Sequence, residues 1–228
     1  MPGRPAISPR RAAKLKSKKH REAKRLFLAE GASILEEAPT APFQVFEEAE
    51  QVRHISTLKT PAGPIGIFPF LDVTAAELLS STRRIVLLHG VQDPGNVGTA
   101  IRSAHAFGAG VALSRGSADL YNPKTVRATM GSIFHTPVAK ELATLDFLAR
   151  AGNAGFGLVA AVPEAGGMPQ SLPRGRLVVC IGAEGSGLPE EVQGACETRV
   201  CVPSLAPSLN ASVAASILLY EAYSRVLT

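Results

Sequence analysis

From residue 82 onward the chain repeats one pattern, a short aliphatic run followed by a stretch with helical spacing. The runs fall at 85–88, 111–113, 156–161, 177–181 and 199–202, and the helical stretches at 96–107, 123–132, 145–151, 189–194 and 208–225. Strands apolar on both faces and separated by helices pair in parallel. The predicted fold class is therefore α/β, a parallel sheet flanked by helices. The last helix is apolar or small on nearly every face, which predicts a buried rather than an amphipathic helix, with Ser208 at its N-cap. Ser208 and Asn210 would then share its first turn, and buried polar side chains of this kind demand partners.

The N-terminal part reads differently. Residues 1–25 hold ten Lys and Arg against Glu22 alone, a local charge of +9 within a chain of net +5, so the remainder carries −4. A basic arm on a mildly acidic body suits a polyanionic partner, and Arg10, Arg11, Lys14, Lys18, Lys19 and Arg21 are its candidate phosphate contacts. The competing reading is a solvated tail. From Pro9 the arm predicts helix, with no Gly or Pro until Gly31, followed by a second helical piece over 32–38. Residues 43–46 and 65–70 predict strands bounded by the turn material of 60–64. Together these make a small α/β module over 1–72, joined by a connector to a main domain over 82–228.

With 46% hydrophobic residues the chain can bury a proper core. Its apolar runs fall short of a membrane span and no apolar segment follows the N-terminal charges, so neither anchor nor signal peptide is expected and the predicted location is the cytoplasm. Cys180, Cys196 and Cys201 form no CxxC pair, which favours reduced thiols over a disulfide framework or a zinc site.

Three segments carry polar residues at strand ends. Asp93-Pro94-Gly95-Asn96 turns the chain from a strand into the helix expected near Asn96, and Arg102 follows six residues later. At about 100° per residue, Arg102 lies to the side of Asn96 rather than above it. Open α/β sheets bind ligands at the C-terminal ends of their strands, where Asn96 would sit. Taken alone, the pair reads as a capping Asn and a surface Arg. Gly98 among small neighbours predicts close backbone approach, and Phe107-Gly108 a helix end. Gly182-Ala183-Glu184-Gly185-Ser186-Gly187 has neither the GxGxxG spacing of dinucleotide sites nor a P-loop's Lys-Ser/Thr. Its glycines suit close approach of backbone to a flat ligand, and Glu184 alone reads as the cap of the following turn. His89 reads as a packed or edge residue, His105 and His135 lack metal-ligand spacing, and Lys124 follows a Pro at a helix start.

Read together and in order, residues 89–108, 182–189 and Ser208-Leu209-Asn210 resemble the motifs of the SpoU (TrmH) family of RNA ribose 2′-O-methyltransferases, of the SPOUT superfamily, over roughly residues 82–226. The resemblance implies a C-terminal trefoil knot and S-adenosylmethionine bound by Gly182, Val202 and Leu209. It also implies a catalytic Arg102 surrounded by Asn96, Glu184, Ser208 and Asn210. A guanidinium does not deprotonate near neutrality, so Arg102 is expected to clamp a phosphate and stabilise the developing alkoxide rather than act as a base. Methyl transfer from a sulfonium needs no metal. The family also implies a homodimer in which the C-terminal helix and the helix of the first motif meet across a two-fold axis. Ribosomal RNA is favoured over tRNA because the basic extension resembles a ribosomal-RNA-binding module in shortened form. At Ser204-Leu205-Ala206-Pro207 the chain departs from the family, whose members usually carry a Met after the Pro and a longer, Gly-containing loop. Two other classes stay open: a noncatalytic RNA-binding or ribosome-assembly protein on this scaffold, which would not bind the cofactor, and a nucleotide-dependent oxidoreductase, for which the GxGxxG opening is missing.

Overall fold

A computed structural model describes residues 6–225. The N-terminal part contains α1 (Pro9–Ala13), α2 (Lys18–Lys24), β1 (Leu26–Glu30), α3 (Ala32–Glu36), β2 (Gln44–Phe46), α4 (Ala49–Ile55) and β3 (Ile65–Pro69). Strand β3 lies between β1 and β2 and is antiparallel to both. Side chains alternate across a strand, so β1 serves two cores. Leu26 and Leu28 join Ala12, Leu15, Val52 and Ile55 beneath the helices. Phe27 and Ala29 face the main domain, where Phe27 meets Tyr121 with ring centroids 4.9 Å apart and Phe68 meets Phe134 at 4.7 Å.

The expected helix through to Gly31 is thus corrected. It breaks at residues 14–17 and ends at Arg25, which takes a left-handed φ of 53°, and the next five residues are a fully buried strand. A continuous apolar run carries no period to separate helix from strand, and burial on both faces decides the matter. Helix α4, absent from the sequence reading, covers the same sheet.

The chain continues with α5 (Ala75–Ser81), a helix where the sequence reading has only a connector, then β4 (Arg84–His89), α6 (Pro94–Ala106), β5 (Gly110–Ser114), α7 (Pro123–Ala128), β6 (Val138–Leu142), α8 (Thr144–Asn153), β7 (Gly157–Ala161), β8 (Leu177–Gly182), α9 (Glu190–Gly194), β9 (Thr198–Val200) and α10 (Ala211–Ser224). Six strands form one parallel sheet in the order β6-β5-β4-β8-β7-β9. The expected parallel α/β sheet is present, with one strand more than expected. That strand, β6, is an edge carrying Lys140 and Glu141, and its charges disguise it in the sequence. Alternate residues feed two cores: Val86 and Val179 pack with α6 and α10, whereas Ile85, Leu87 and Val178 pack with α5 and α8. At Gly98 a Cβ would lie 2.5 Å from the Ala128 Cβ, so glycine is what lets α6 and α7 touch. Gly108, at φ +59°, closes α6 as expected.

Helix α10 corrects the sequence reading twice. It starts at Ala211, capped by Asn210, not Ser208: the Asn210 Oδ1 accepts from the N–H of Ser212 at 2.9 Å and of Val213 at 3.3 Å. Nor is it buried all round. Val213, Ile217 and Tyr220, spaced four and three residues apart, are 45%, 37% and 57% exposed and form an apolar stripe open to solvent.

Candidate active site

The strand order brings the C-terminal ends of β4, β8 and β7 side by side, and the loops leaving them build the site. After β4, Asp93 caps α6 by accepting from the Asn96 N–H at 3.1 Å, with Pro94 in the first helical position. The helix therefore begins two residues before Asn96. With the cap supplied by Asp93, the Asn96 carboxamide is released for other bonds.

Those bonds join three segments distant in the chain. The Asn96 Nδ2 donates to Glu184 Oε1 in the loop after β8. The Asn96 Oδ1 accepts from Asn210 Nδ2 at 2.9 Å, at the start of α10. Ser212, which sequence reasoning missed, places its Oγ 2.7 Å from Asn210 Oδ1 and 3.3 Å from Asn96 Oδ1. Its position two residues after a capping Asn was the available signal. A second link, Ser103 Oγ to Ser216 Oγ at 2.6 Å, ties α6 to α10 one turn further along.

Two of the predicted residues stay outside this network. Arg102 is exposed, on the same helix as Asn96, and makes no hydrogen bond or ion pair among the described residues. Ser208 is likewise exposed and unbonded among them. Glu184 stands in the loop after β8 and accepts from Asn96, so the reading of it as a cap of the following turn does not apply.

Beside the network lies a cavity of about 450 Å³ among the loops that follow β7, β8 and β9, a size suited to a small cofactor. Gly182, Val202 and Leu209 all line it. A Cβ on Gly182 would fall 2.1 Å from the carbonyl carbon of Gly187, because the loop folds back on itself through a Gly187 N–H to Ala183 C=O bond of 2.9 Å. Residues 204, 206 and 207 also rim the cavity, with Leu205 fully exposed beside them. Only two of the lining side chains ionise, Glu164 and Glu184, and both are acids. A wall with carboxylates and no cation fits an adenosine ligand bearing a sulfonium and an ammonium. The loop after β8 folds back on itself rather than running straight into a helix N-terminus, the feature that holds a pyrophosphate in dinucleotide folds, and this weighs against a dinucleotide.

Flanking groups have settled structural partners. His89 Nδ1 lies 2.9 Å from Thr144 Oγ1, and burial pulls its pKa below 6.5. Lys124 Nζ donates to Asp93 at 2.7 Å; this bond is the main cause of a lowered Asp93 pKa. Arg127 donates to Thr57 at 2.8 Å. His105 and His135 stack at 4.8 Å, with His105 facing Ser132 and His135 facing Glu37.

Among the basic-arm candidates, Arg10, Arg11, Lys14 and Lys19 are exposed and form no ion pair among the described residues, whereas Lys18 is exposed and pairs with Glu141 at 3.0 Å. Arg21 is a correction. It is 3% exposed, pairs with Asp119 at 2.5 Å and donates to the Leu15 and Lys16 carbonyls. Its charge is spent inside the protein, holding α2 to the main domain.

A family model described as the SpoU rRNA Methylase family matches residues 83–220. The chain belongs to the SpoU rRNA Methylase family. It is 33% identical to the Bacillus subtilis 23S rRNA (guanosine(2553)-2′-O)-methyltransferase RlmP over 91% of this chain and 92% of that one. It is 34% identical to the Streptomyces viridochromogenes 23S rRNA (uridine(2479)-2′-O)-methyltransferase over 60% of this chain and 51% of that enzyme. The crystal structure of an AdoMet-bound rRNA methyltransferase from Sinorhizobium meliloti superposes with a TM-score of 0.85 at 28% identity, covering 96% of this chain and 95% of that one. The SpoU match spans β4 through most of α10, the region that contains the Asn96–Glu184–Asn210 network and the cavity beside it.

Proposed function

We propose that this chain methylates a ribose 2′-hydroxyl of RNA, with ribosomal RNA as the favoured substrate and tRNA as the alternative. The observation that carries the reading is the Glu184–Asn96–Asn210 network at the rim of an acidic-walled cavity, inside the SpoU match. The cofactor is S-adenosylmethionine, which supplies an electrophilic methyl group. Gly182, Val202 and Leu209 hold it, and the absence of cations from the lining fits its positive centres.

Asn96, fixed from both sides, is a rigid post from which the ribose is oriented, and orientation is a large part of what an in-line displacement requires. Arg102 is exposed and uncommitted among the described residues, free to take a substrate phosphate through two parallel bonds and to stabilise the alkoxide as the hydroxyl proton passes to solvent and the oxygen replaces sulfur on the methyl carbon. Glu184 orients Asn96, and Asn210 joins that pair to α10. Ser208, exposed at the cavity, is left to meet the substrate.

Three features of the assembly belong to the same reading. The main domain is knotted at its C-terminal end: after β9 the chain runs past residues 166–167, where Cys201 N–H donates to the Gly167 carbonyl at 2.8 Å, and α10 then packs against α6. Residues 1–72 form an RNA-binding module, with Arg10, Arg11, Lys14, Lys18 and Lys19 on its surface. The exposed stripe of Val213, Ile217 and Tyr220 is covered by a second copy, giving a homodimer. Among the described residues no helix is long and apolar enough to cross a membrane, and we assign the protein to the cytoplasm.

Calorimetric titration with S-adenosylmethionine, with NAD as control, tests the cofactor. Transfer of labelled methyl to ribosomal RNA fragments, compared with tRNA, tests the substrate. Binding of the former cofactor alone and 2′-O-methylation of ribosomal RNA are expected. RNA binding without cofactor binding would move the chain to the noncatalytic class.

A further inference from the structure

The cavity wall holds a second carboxylate that the site has not used. Glu164 follows β7, lines the cavity, is exposed, and makes no hydrogen bond or ion pair among the described residues. Glu184, the other acid, is committed to Asn96. The position of Glu164 is held by its neighbours. Ala165 adopts φ +57°, a conformation that side chains other than glycine rarely take. A Cβ on Gly166 would lie 2.7 Å from the backbone nitrogen of Cys201. A backbone pinned this closely against the segment after β9 gives the Glu164 side chain a fixed base. Strain of this kind persists where the surroundings impose it, and it gathers at ligand sites.

The sheet order assigns Glu164 an end of the ligand. Strand β8 lies between β4 and β7, so the Asn96–Glu184 network stands over β4 and β8 while Glu164 stands over β7, one strand further from the reacting centre. The donated methyl must lie at the network. The part of the cofactor remote from it, carrying no reacting atom, falls toward β7. A carboxylate with two free oxygens is a natural acceptor for a vicinal diol, the chemistry by which an acidic side chain recognises ribose in other nucleotide sites.

Resting on the cofactor assignment above, we infer that Glu164 is a binding residue that accepts hydrogen bonds from the ribose hydroxyls of the cofactor's adenosine. It sets selection for a ribonucleoside and takes no part in methyl transfer.

Titrating wild type and Glu164→Gln with S-adenosylmethionine and with 5′-methylthioadenosine, which keeps the ribose but lacks the amino-acid portion, separates the possibilities. The variant is expected to bind both ligands about tenfold more weakly, the loss appropriate to one hydrogen bond to a charged group, with an unchanged melting temperature. Weakening of S-adenosylmethionine alone would mean that Glu164 grips the ammonium, and this overturns the diol assignment. Unchanged affinity for both ligands overturns it as well. Failure of the wild type to bind either ligand would overturn the cofactor reading itself, and the inference with it, so the two failures are told apart by the wild-type titration.

Discussion

Asn96 and Asn210 stand 114 positions apart in the chain and share a hydrogen bond of 2.9 Å, the Asn210 Nδ2 donating to the Asn96 Oδ1. The same Asn210 carboxamide caps α10 with its oxygen. One side chain thus couples the start of the last helix to the first motif, and its two roles are separable by substitution. Asn210→Ala removes both and is expected to cost about 1–2 kcal/mol of stability, the usual value of a lost N-cap, together with most of the methyl-transfer rate. Asn210→Ser keeps a capping oxygen but is too short to reach Asn96. It should unfold within a few tenths of a kcal/mol of wild type by denaturant titration, yet still lose rate. Equal stability losses in the two variants would show that the Asn96 bond, not the cap, carries the effect.

Arg102 offers the reverse pattern. Because it is exposed and bonded to nothing among the described residues, Arg102→Ala should leave stability within about 0.5 kcal/mol of wild type. If it stabilises the developing alkoxide, the same change lowers the single-turnover rate by about a hundredfold or more, while cofactor affinity by calorimetry stays nearly intact. Parallel loss of rate and cofactor binding would refute the role.

How much of this is legible in the sequence depends on what each residue's type encodes. Buried strands such as β4 and β8 announce themselves because their aliphatic runs are unbroken. β6 does not, because an edge strand tolerates Lys140 and Glu141. β1 reads as helix because a run buried on both faces has no period. At the site, the motif set brings Asn96, Glu184 and Asn210 together but not their bonding, since hydrogen bonds across 88 and 114 positions are a property of the sheet order. Composition cannot tell Arg21 from Arg10 or Arg11. Its partners make it an interior residue, and the charged one, Asp119, lies 98 positions away.

That distinction changes how the basic arm should be tested. Deleting residues 1–25 would remove Ala12 and Leu15 from the core and break the Arg21–Asp119 pair. Removing one partner of a buried ion pair costs about 3–5 kcal/mol, so Arg21→Met is expected to lower the denaturation midpoint strongly. Replacing Arg10, Arg11, Lys14 and Lys19 with Gln should leave the midpoint almost unchanged. It should also flatten the dependence of RNA affinity on salt, by about 0.7 in log–log slope for each phosphate of single-stranded RNA that is no longer neutralised. An unchanged slope would identify the arm's surface as solubilising only.

His89 gives a pH dependence whose sign is fixed. Burial disfavours its charged form and pulls its pKa below 6.5, so between the two values the unfolded chain binds more protons than the folded one. The contribution is fully present above pH 6.5 and is lost as pH falls through the folded pKa. The His89 ring resonances should titrate with a midpoint below 6.5, and His89→Gln should remove part of the decline in stability on the acid side of neutrality. A midpoint at or above 6.5 would contradict the burial argument.

The α10 stripe yields the last prediction. Val213, Ile217 and Tyr220 lie on one face of a helix whose opposite face, with Ala215, Leu218 and Ala222, is buried in the chain's own core, so the exposed apolar side cannot turn inward within one chain. Covering it with the same stripe of a second copy is self-complementary, as a two-fold interface requires. Ile217→Glu would place a charge at the centre of that interface without touching the chain's own core. Sedimentation should change from dimer to monomer, while the circular dichroism spectrum stays that of the folded protein. Persistence of the dimer would place the interface elsewhere, and a wild-type monomer would leave the stripe to another partner.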